Sequence, residues 1–271
     1  MISVLKLGGE LLEDSGAMRA AASGIASLRV NGPVAIVHGG GRAIDADLRA
    51  RGKSPRFVDG LRITDQDTLD TVVGVLAGRM NTSFVAALSS AGIPAVGLTG
   101  ADARLGHAAP APPLRSASGS TVELGRVGVP LADAPARLLL DLLALGYVPV
   151  VASIGVMSDG TLLNVNADVM AAHLARAIEA GRLIVAGSTP GVFDADGRTC
   201  LELDEASART LVSDGAAREG MVAKLSACLE AIASGVREVR IIDGRGGDFE
   251  RAVGTTIRAN AAAAALQGSR C

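Results

Sequence analysis

Apolar residues along the chain fall into two kinds of run. Short blocks of Val, Ile, Leu and Ala recur at residues 2–7, 34–37, 94–98, 147–152, 183–186 and 238–242, each closed by a glycine or polar residue. Continuous runs of this length predict strands buried on both faces. Between them, segments 17–28, 43–51, 65–90, 135–145, 169–175, 204–211 and 221–234 have apolar residues returning at helical spacing. Alternation of the two implies crossover connections, hence an α/β fold with a largely parallel central sheet. The 65–90 helix is expected to break near residues 78–81, residues 53–64 read as irregular, and 238–242 reads as the last central strand.

Residues 100–128 depart from this pattern. An Ala/Pro-rich stretch (108–113), a Ser/Gly-rich one (116–120) and a short strand (121–127) predict a β-hairpin excursion with a mobile tip and too few apolar residues for a core. The alanine-rich and then polar end, 260–271, predicts a frayed tail. Ser158-Asp159-Gly160 marks a turn between two lobes, 1–157 and 158–271.

A chain of 271 residues can bury a substantial core, and with 49% apolar but only 2% aromatic residues that core must be built from Ala, Val, Leu and Gly. Lys plus Arg total 26 against 28 acids, and there is no Trp and one Tyr. Neither a phosphate-binding excess of charge nor a base-stacking platform is present, which argues against nucleic acid. Cys200, Cys228 and Cys271 match neither a disulfide framework nor a zinc site and suggest a reducing compartment. The amino terminus enters a strand directly, without a signal-peptide pattern. The apolar stretch at 138–157 is broken by Asp141, Gly146 and Pro149, so no membrane span and a cytoplasmic protein are expected.

Candidate chemistry gathers in a few places. Asn164-Val165-Asn166-Ala167-Asp168 precedes a helix, at the end of the sheet where open α/β folds bind ligands. Capping explains such residues about as well as chemistry does. Two glycine loops, Gly8-Gly9 beside Lys6 and His38-Gly39-Gly40-Gly41, follow strands, and their amides could cradle a phosphate or carboxylate. A tight strand-to-helix turn is the plainer reading of either loop alone. Neither is a dinucleotide fingerprint, since position 44 is Ile44, and no glycine run leads into the Lys-Ser or Lys-Thr of a P-loop. His38 reads as a loop-shaping group rather than an acid or base, and His173 as structural.

Taken together, Lys6-Leu7-Gly8-Gly9, His38-Gly39-Gly40-Gly41, Gly60-Leu61-Arg62-Ile63-Thr64, Asn164-Val165-Asn166-Ala167-Asp168, Gly220-Met221-Val222-Ala223-Lys224 and Asp243-Gly244-Arg245 resemble the amino-acid kinase family, and within it the acetylglutamate branch of arginine biosynthesis. The resemblance spans residues 3–258. It implies a three-layer αβα sandwich and ATP-dependent phosphorylation, with Mg2+, of the side-chain carboxylate of N-acetyl-L-glutamate. By position it implies that Lys6 and Lys224 flank the transferring phosphoryl group and that Asp168 holds both. It assigns Gly40, Gly41, Arg62, Asn164 and Asn166 to the acceptor and Gly8, Gly9, Ser188 and Gly191 to the nucleotide, with no protein metal site. Ser188 stands where the family usually carries an acid. The closeness of Lys6 to the start leaves no room for the helix that interlocks arginine-sensitive hexamers, so a homodimer without arginine feedback is expected. N-succinylglutamate as acceptor, and a non-catalytic sensor on the same fold, stay open at this point.

Overall fold

Residue alternation along the first strand sets the architecture. In β1 (Ser3–Leu7), Leu5 and Leu7 join one buried apolar cluster while Val4 joins another, as the two-residue period of a strand requires. The computed structural model describes every residue except 117, 118, 195, 214–218 and 260–271. The expected frayed tail, the hairpin tip and Cys271 therefore fall outside the described residues, wholly or in part.

With elements numbered in chain order, β1 lies inside an eight-stranded sheet together with β2 (Val34–His38), β5 (Ala95–Thr99), β10 (Val148–Ala152), β13 (Arg182–Gly187), β14 (Glu202–Asp204), β15 (Glu238–Asp243) and β16 (Gly254–Arg258). The spatial order is β14-β16-β15-β13-β1-β2-β10-β5. Every neighbouring pair is parallel except β15 with β16. The strand predicted as last is thus followed by β16, which turns back beside it, and β14 was not anticipated; both are short or mixed in polarity, so their apolar signal is weak.

Helices cover both faces. One face carries α1 (Ser15–Arg29), α2 (Gly41–Ala50) and the helix formed by α3 (Gln66–Val73), a π-helical stretch Gly74–Met80 and α4 (Asn81–Ser90). The other carries α5 (Arg137–Ala144), α6 (Ala167–Ala177), α7 (Glu205–Ser213) and α8 (Glu219–Ala233). This is the three-layer αβα sandwich expected.

The predicted break at 78–81 does not occur. The chain widens into the π stretch and continues, because Val75, Leu76, Met80, Phe84 and Leu88 are all buried against the sheet and that packing outweighs the helix penalty of Gly74 and Gly78. By length and composition alone this 25-residue helix, with an 18-residue window of mean hydropathy 1.3, could cross a membrane. Here its apolar face belongs to the core.

The excursion at 100–128 is also better anchored than its composition suggests. β6 (Ala108–Pro110) and β9 (Val127–Pro130) pair antiparallel and join β12 (Leu162–Val165) and β11 (Ile154–Val156) in a four-stranded second sheet. Leu105, Ala108, Leu124 and Val127 are buried there. Only the two-stranded tip, β7 (Leu114–Arg115) with β8 (Thr121–Val122), projects beyond it. The remaining hairpin, β3 (Phe57–Val58) and β4 (Leu61–Arg62), lies within the segment predicted to be irregular.

Candidate active site

Lys6 leaves β1 on the same side as Val4, toward α6 and α8, as strand alternation demands. Its Nζ lies 3.0 Å from Asp168 Oδ1. Lys224, on α8, places Nζ 3.4 Å from each oxygen of the same carboxylate. Groups separated by more than 160 and 50 residues in sequence thus meet: Lys6 and Lys224 share Asp168, and all three side chains are at most 15% exposed. Asn166 Oδ1 caps α6, accepting from the backbone N–H of Asp168 at 2.8 Å and of Val169 at 3.3 Å. Within the Asn-Val-Asn-Ala-Asp run the two residues therefore differ: Asn166 caps the helix, and Asp168 pairs with the lysines.

Burial opposes charge on each of the three. For Asp168 it would raise the carboxyl, but Lys6 and Lys224 overcome it and hold the group below its usual range. Burial likewise works against a charged Lys6, and the adjacent Asp168, helped by Glu10, more than offsets it, so this ammonium is held above its ordinary value. Lys224 goes the other way: burial and then repulsion from Lys6 lower it despite Asp168. One carboxylate between two ammonium groups leaves the cluster with a positive surplus facing the cleft.

The glycine loops abut backbone to backbone. A Cβ on Gly9 would stand 2.6 Å from Gly40 Cα, and one on Gly40 would stand 2.4 Å from Met80 Sδ, whereas at Gly41 nothing lies within 4 Å. Asn81, buried just after the π stretch, braces this loop by donating from Nδ2 to His38 Nε2 at 3.1 Å and to the Val150 carbonyl at 2.9 Å. His38 Nδ1 then donates to the Gly39 carbonyl at 3.2 Å. Fully buried, His38 is pushed down to about 4 by desolvation and is neutral, in line with a loop-shaping role.

Arg62 is delivered by the β3–β4 hairpin, whose Asp59-Gly60 tip has positive φ at both residues (47° and 79°), the requirement of a two-residue turn of this type. Its guanidinium carbon sits 4.6 Å from the Phe57 ring centroid and Nη1 lies 2.6 Å from Asp45 Oδ1. Asn164 Nδ2 donates to Thr64 Oγ1 at 3.1 Å, tying the following residues to β12.

Lys6, Gly8, Gly9, Gly40, Gly41, Arg62, Asn164, Asn166 and Asp168 line one cleft of about 380 Å3, within the range of small-molecule sites. Lys224 joins it through Asp168. Two predicted residues lie apart from that lining. Ser188 stands at the exit of β13, its N–H donating to Glu10 Oε1 at 3.0 Å. Gly191, at φ +126°, packs on β16, where a Cβ would meet Thr255 Oγ1 at 2.6 Å, so its glycine answers to a close approach of backbone. Glu10, Asp45 and Asn81 were not picked out from the sequence. A lone acid or amide carries no spacing signal, and only the fold brings these three to the loops.

Paired ammonium groups, amide-lined glycine loops at helix N-termini and a fixed guanidinium around one cleft define a phosphoryl-transfer enzyme on a three-layer α/β scaffold. The chain belongs to the amino acid kinase family, whose model matches residues 1–243. It is 43% identical over 242 residues to the acetylglutamate kinase of Solibacter usitatus, covering 89% of this chain and 90% of that one. Among solved structures, a Streptococcus mutans protein superposes with a TM-score of 0.81 at 26% identity, over 96% of this chain and 99% of that one. The N-acetylglutamate synthase of Neisseria gonorrhoeae, solved with coenzyme A and N-acetyl-glutamate, also gives 0.81, at 25% identity, over 96% of this chain and 60% of its own.

Proposed function

We propose that this chain is a kinase that transfers the γ-phosphoryl group of ATP to the side-chain carboxylate of N-acetyl-L-glutamate, in arginine biosynthesis. The observation that carries the reading is the Lys6–Asp168–Lys224 cluster at the head of a glycine-lined cleft, in a chain whose curated relatives are acetylglutamate kinases.

The acceptor carboxylate is ionised at neutral pH, so no base is needed to activate it. The barrier is charge: an anion must approach a triphosphate, and catalysis is mainly positioning and electrostatic stabilisation. On this reading the amides of Gly40 and Gly41 face the reacting carboxylate, and Arg62 with Asn164 engages the acceptor's other carboxylate. Gly8 and Gly9 face the phosphates. Lys6 and Lys224 approach the phosphoryl oxygens from the other side, and Asp168 keeps them close enough to act on one group. As the new O–P bond forms and the bond to the leaving ADP oxygen breaks, the charge on the transferring oxygens meets two ammonium groups already in place.

Mg2+ supplies charge neutralisation of the phosphates when bound. No cluster of three or more His, Cys, Asp or Glu side chains able to hold a metal occurs among the described residues. An ion that stays on the phosphates and keeps its waters needs only one or two protein carboxylates, and the one the cleft offers is Glu10, the lining acid without an ion pair among the described residues. Residues 1–157 as the acceptor lobe and 158–271 as the nucleotide lobe, a homodimer, and a cytoplasmic location complete the proposal.

ADP release measured with N-acetylglutamate, with N-succinylglutamate and without acceptor tests it. Release that depends on N-acetylglutamate is expected; preference for the succinyl compound would reassign the acceptor, and no release with either would leave a sensor.

A further inference from the structure

Glu10 follows the first glycine pair in the short turn Gly9–Leu12, yet its carboxylate does not stay with that turn. Oε1 accepts the Ser188 N–H at 3.0 Å, which carries the acid across to the exit of β13. The carboxylate lies directly over the glycine backbone on both sides: a Cβ on Gly8 would be 2.4 Å from Oε1, and one on Gly187 would be 3.1 Å from it. Glycine at these two positions is what lets the acid lie there. Its charge also reaches Lys6, which it helps to keep protonated.

The cleft lining holds two acids, Glu10 and Asp168. Asp168 is consumed by two ammonium groups. Glu10 makes no ion pair among the described residues and is fixed by a single amide. A carboxylate held beside the amides that would receive phosphate oxygens repels a bare nucleotide and attracts one that carries a divalent cation. The expected acid at position 188 is absent, and Glu10 delivers a carboxylate to the backbone of that same residue.

We infer that Glu10 is the residue that makes this cleft select the metal-loaded nucleotide, by meeting the divalent cation directly or through one of its waters. The inference rests on the kinase reading above and adds a discriminating residue to it. It predicts movements of opposite sign when the charge is removed, which a merely structural role for Glu10 would not produce.

The experiment is calorimetric titration of the full-length protein with ADP in the presence of Mg2+ and with ADP in a chelator. For Glu10→Gln, Mg-ADP is expected to bind about tenfold more weakly while metal-free ADP binds more tightly, each tenfold step being about 1.4 kcal/mol. Adding Ser188→Asp to Glu10→Gln returns a carboxylate to the adjacent position and is expected to restore the preference. Ser188→Asp alone, a second variant in case Glu10→Gln fails to fold, is expected to widen the gap between the two ADP forms. Equal shifts of both forms, or none, in either single variant would overturn the inference while leaving the kinase reading intact. If the unsubstituted protein bound neither form of ADP, the kinase reading itself would fall.

Discussion

Arg62 reaches the cleft already paired: its Nη1 lies 2.6 Å from Asp45 Oδ1, at the first turns of α2, and its Nη2 donates to the Gly41 carbonyl at 3.3 Å. Neither Nη1 nor Oδ1 has a hydrogen bond of good geometry in that contact, although both atoms are buried. The pair is an ionic clamp that fixes the guanidinium plane against Phe57.

On the proposed reading, Asp45 acts on the acceptor through Arg62. Asp45→Asn should raise KM for the acyl amino acid about tenfold with little change in kcat, and Asp45→Glu should recover part of it. Arg62→Lys should raise KM further, because an ammonium lacks the planar fork. Steady-state kinetics with varied acceptor would check both; an unchanged KM in Arg62→Lys would remove Arg62 from the acceptor site.

The two lysines should differ in stability while agreeing in catalysis. Lys6→Met and Lys224→Met should each lower kcat by roughly a hundred- to thousandfold, the usual loss for one transition-state donor. Lys6→Met should also lower Tm, since it strips the nearer partner from a buried carboxylate. Lys224→Met removes a charge that burial and Lys6 disfavour and should cost less. Turnover assays together with thermal melts would separate the two.

The pH dependence follows from the same directions. Lys224 is lowered from 10.5, so an alkaline loss of kcat is expected below that pH as the ammonium deprotonates. For stability the signs differ by residue. Asp168, depressed below 3.8, contributes stability that is present above 3.8 and is lost as pH falls through its lower folded value. Lys6, raised above 10.5, contributes stability that is full below 10.5 and is lost as pH rises through its higher folded value. Denaturant melts and kcat measured across pH would test these limbs, and an alkaline limb absent below 10.5 would contradict the lowered Lys224.

Space at the second glycine loop makes a paired prediction. Gly40→Ala should damage the protein, because its Cβ would collide with Met80 and Leu76, while Gly41→Ala meets nothing within 4 Å and should fold normally. Overpacking of this kind costs about 1–3 kcal/mol. Equal melting temperatures for the two variants would show that the loop yields more readily than its packing indicates.

The apolar blocks at residues 2–7, 34–37, 147–152, 183–186 and 238–242 announced strands of the central sheet, and the helices between them were legible because burial on one face imposes a period on sequence. Glycine pairs and the Asn-Val-Asn-Ala-Asp run were legible too, since close backbone approach and helix capping leave a local mark. Sequence alone could not show that Asn166 caps while Asp168 gathers the lysines, that Gly74–Met80 widens into a π turn to seat Asn81, or that Gly191 serves packing on β16. Nor could it join Glu10 to Ser188 or Asp45 to Arg62. Periodicity and loop motifs are local properties written residue after residue. Contacts between side chains brought from separate strands and helices depend on register and layer packing, which no short stretch of chain contains.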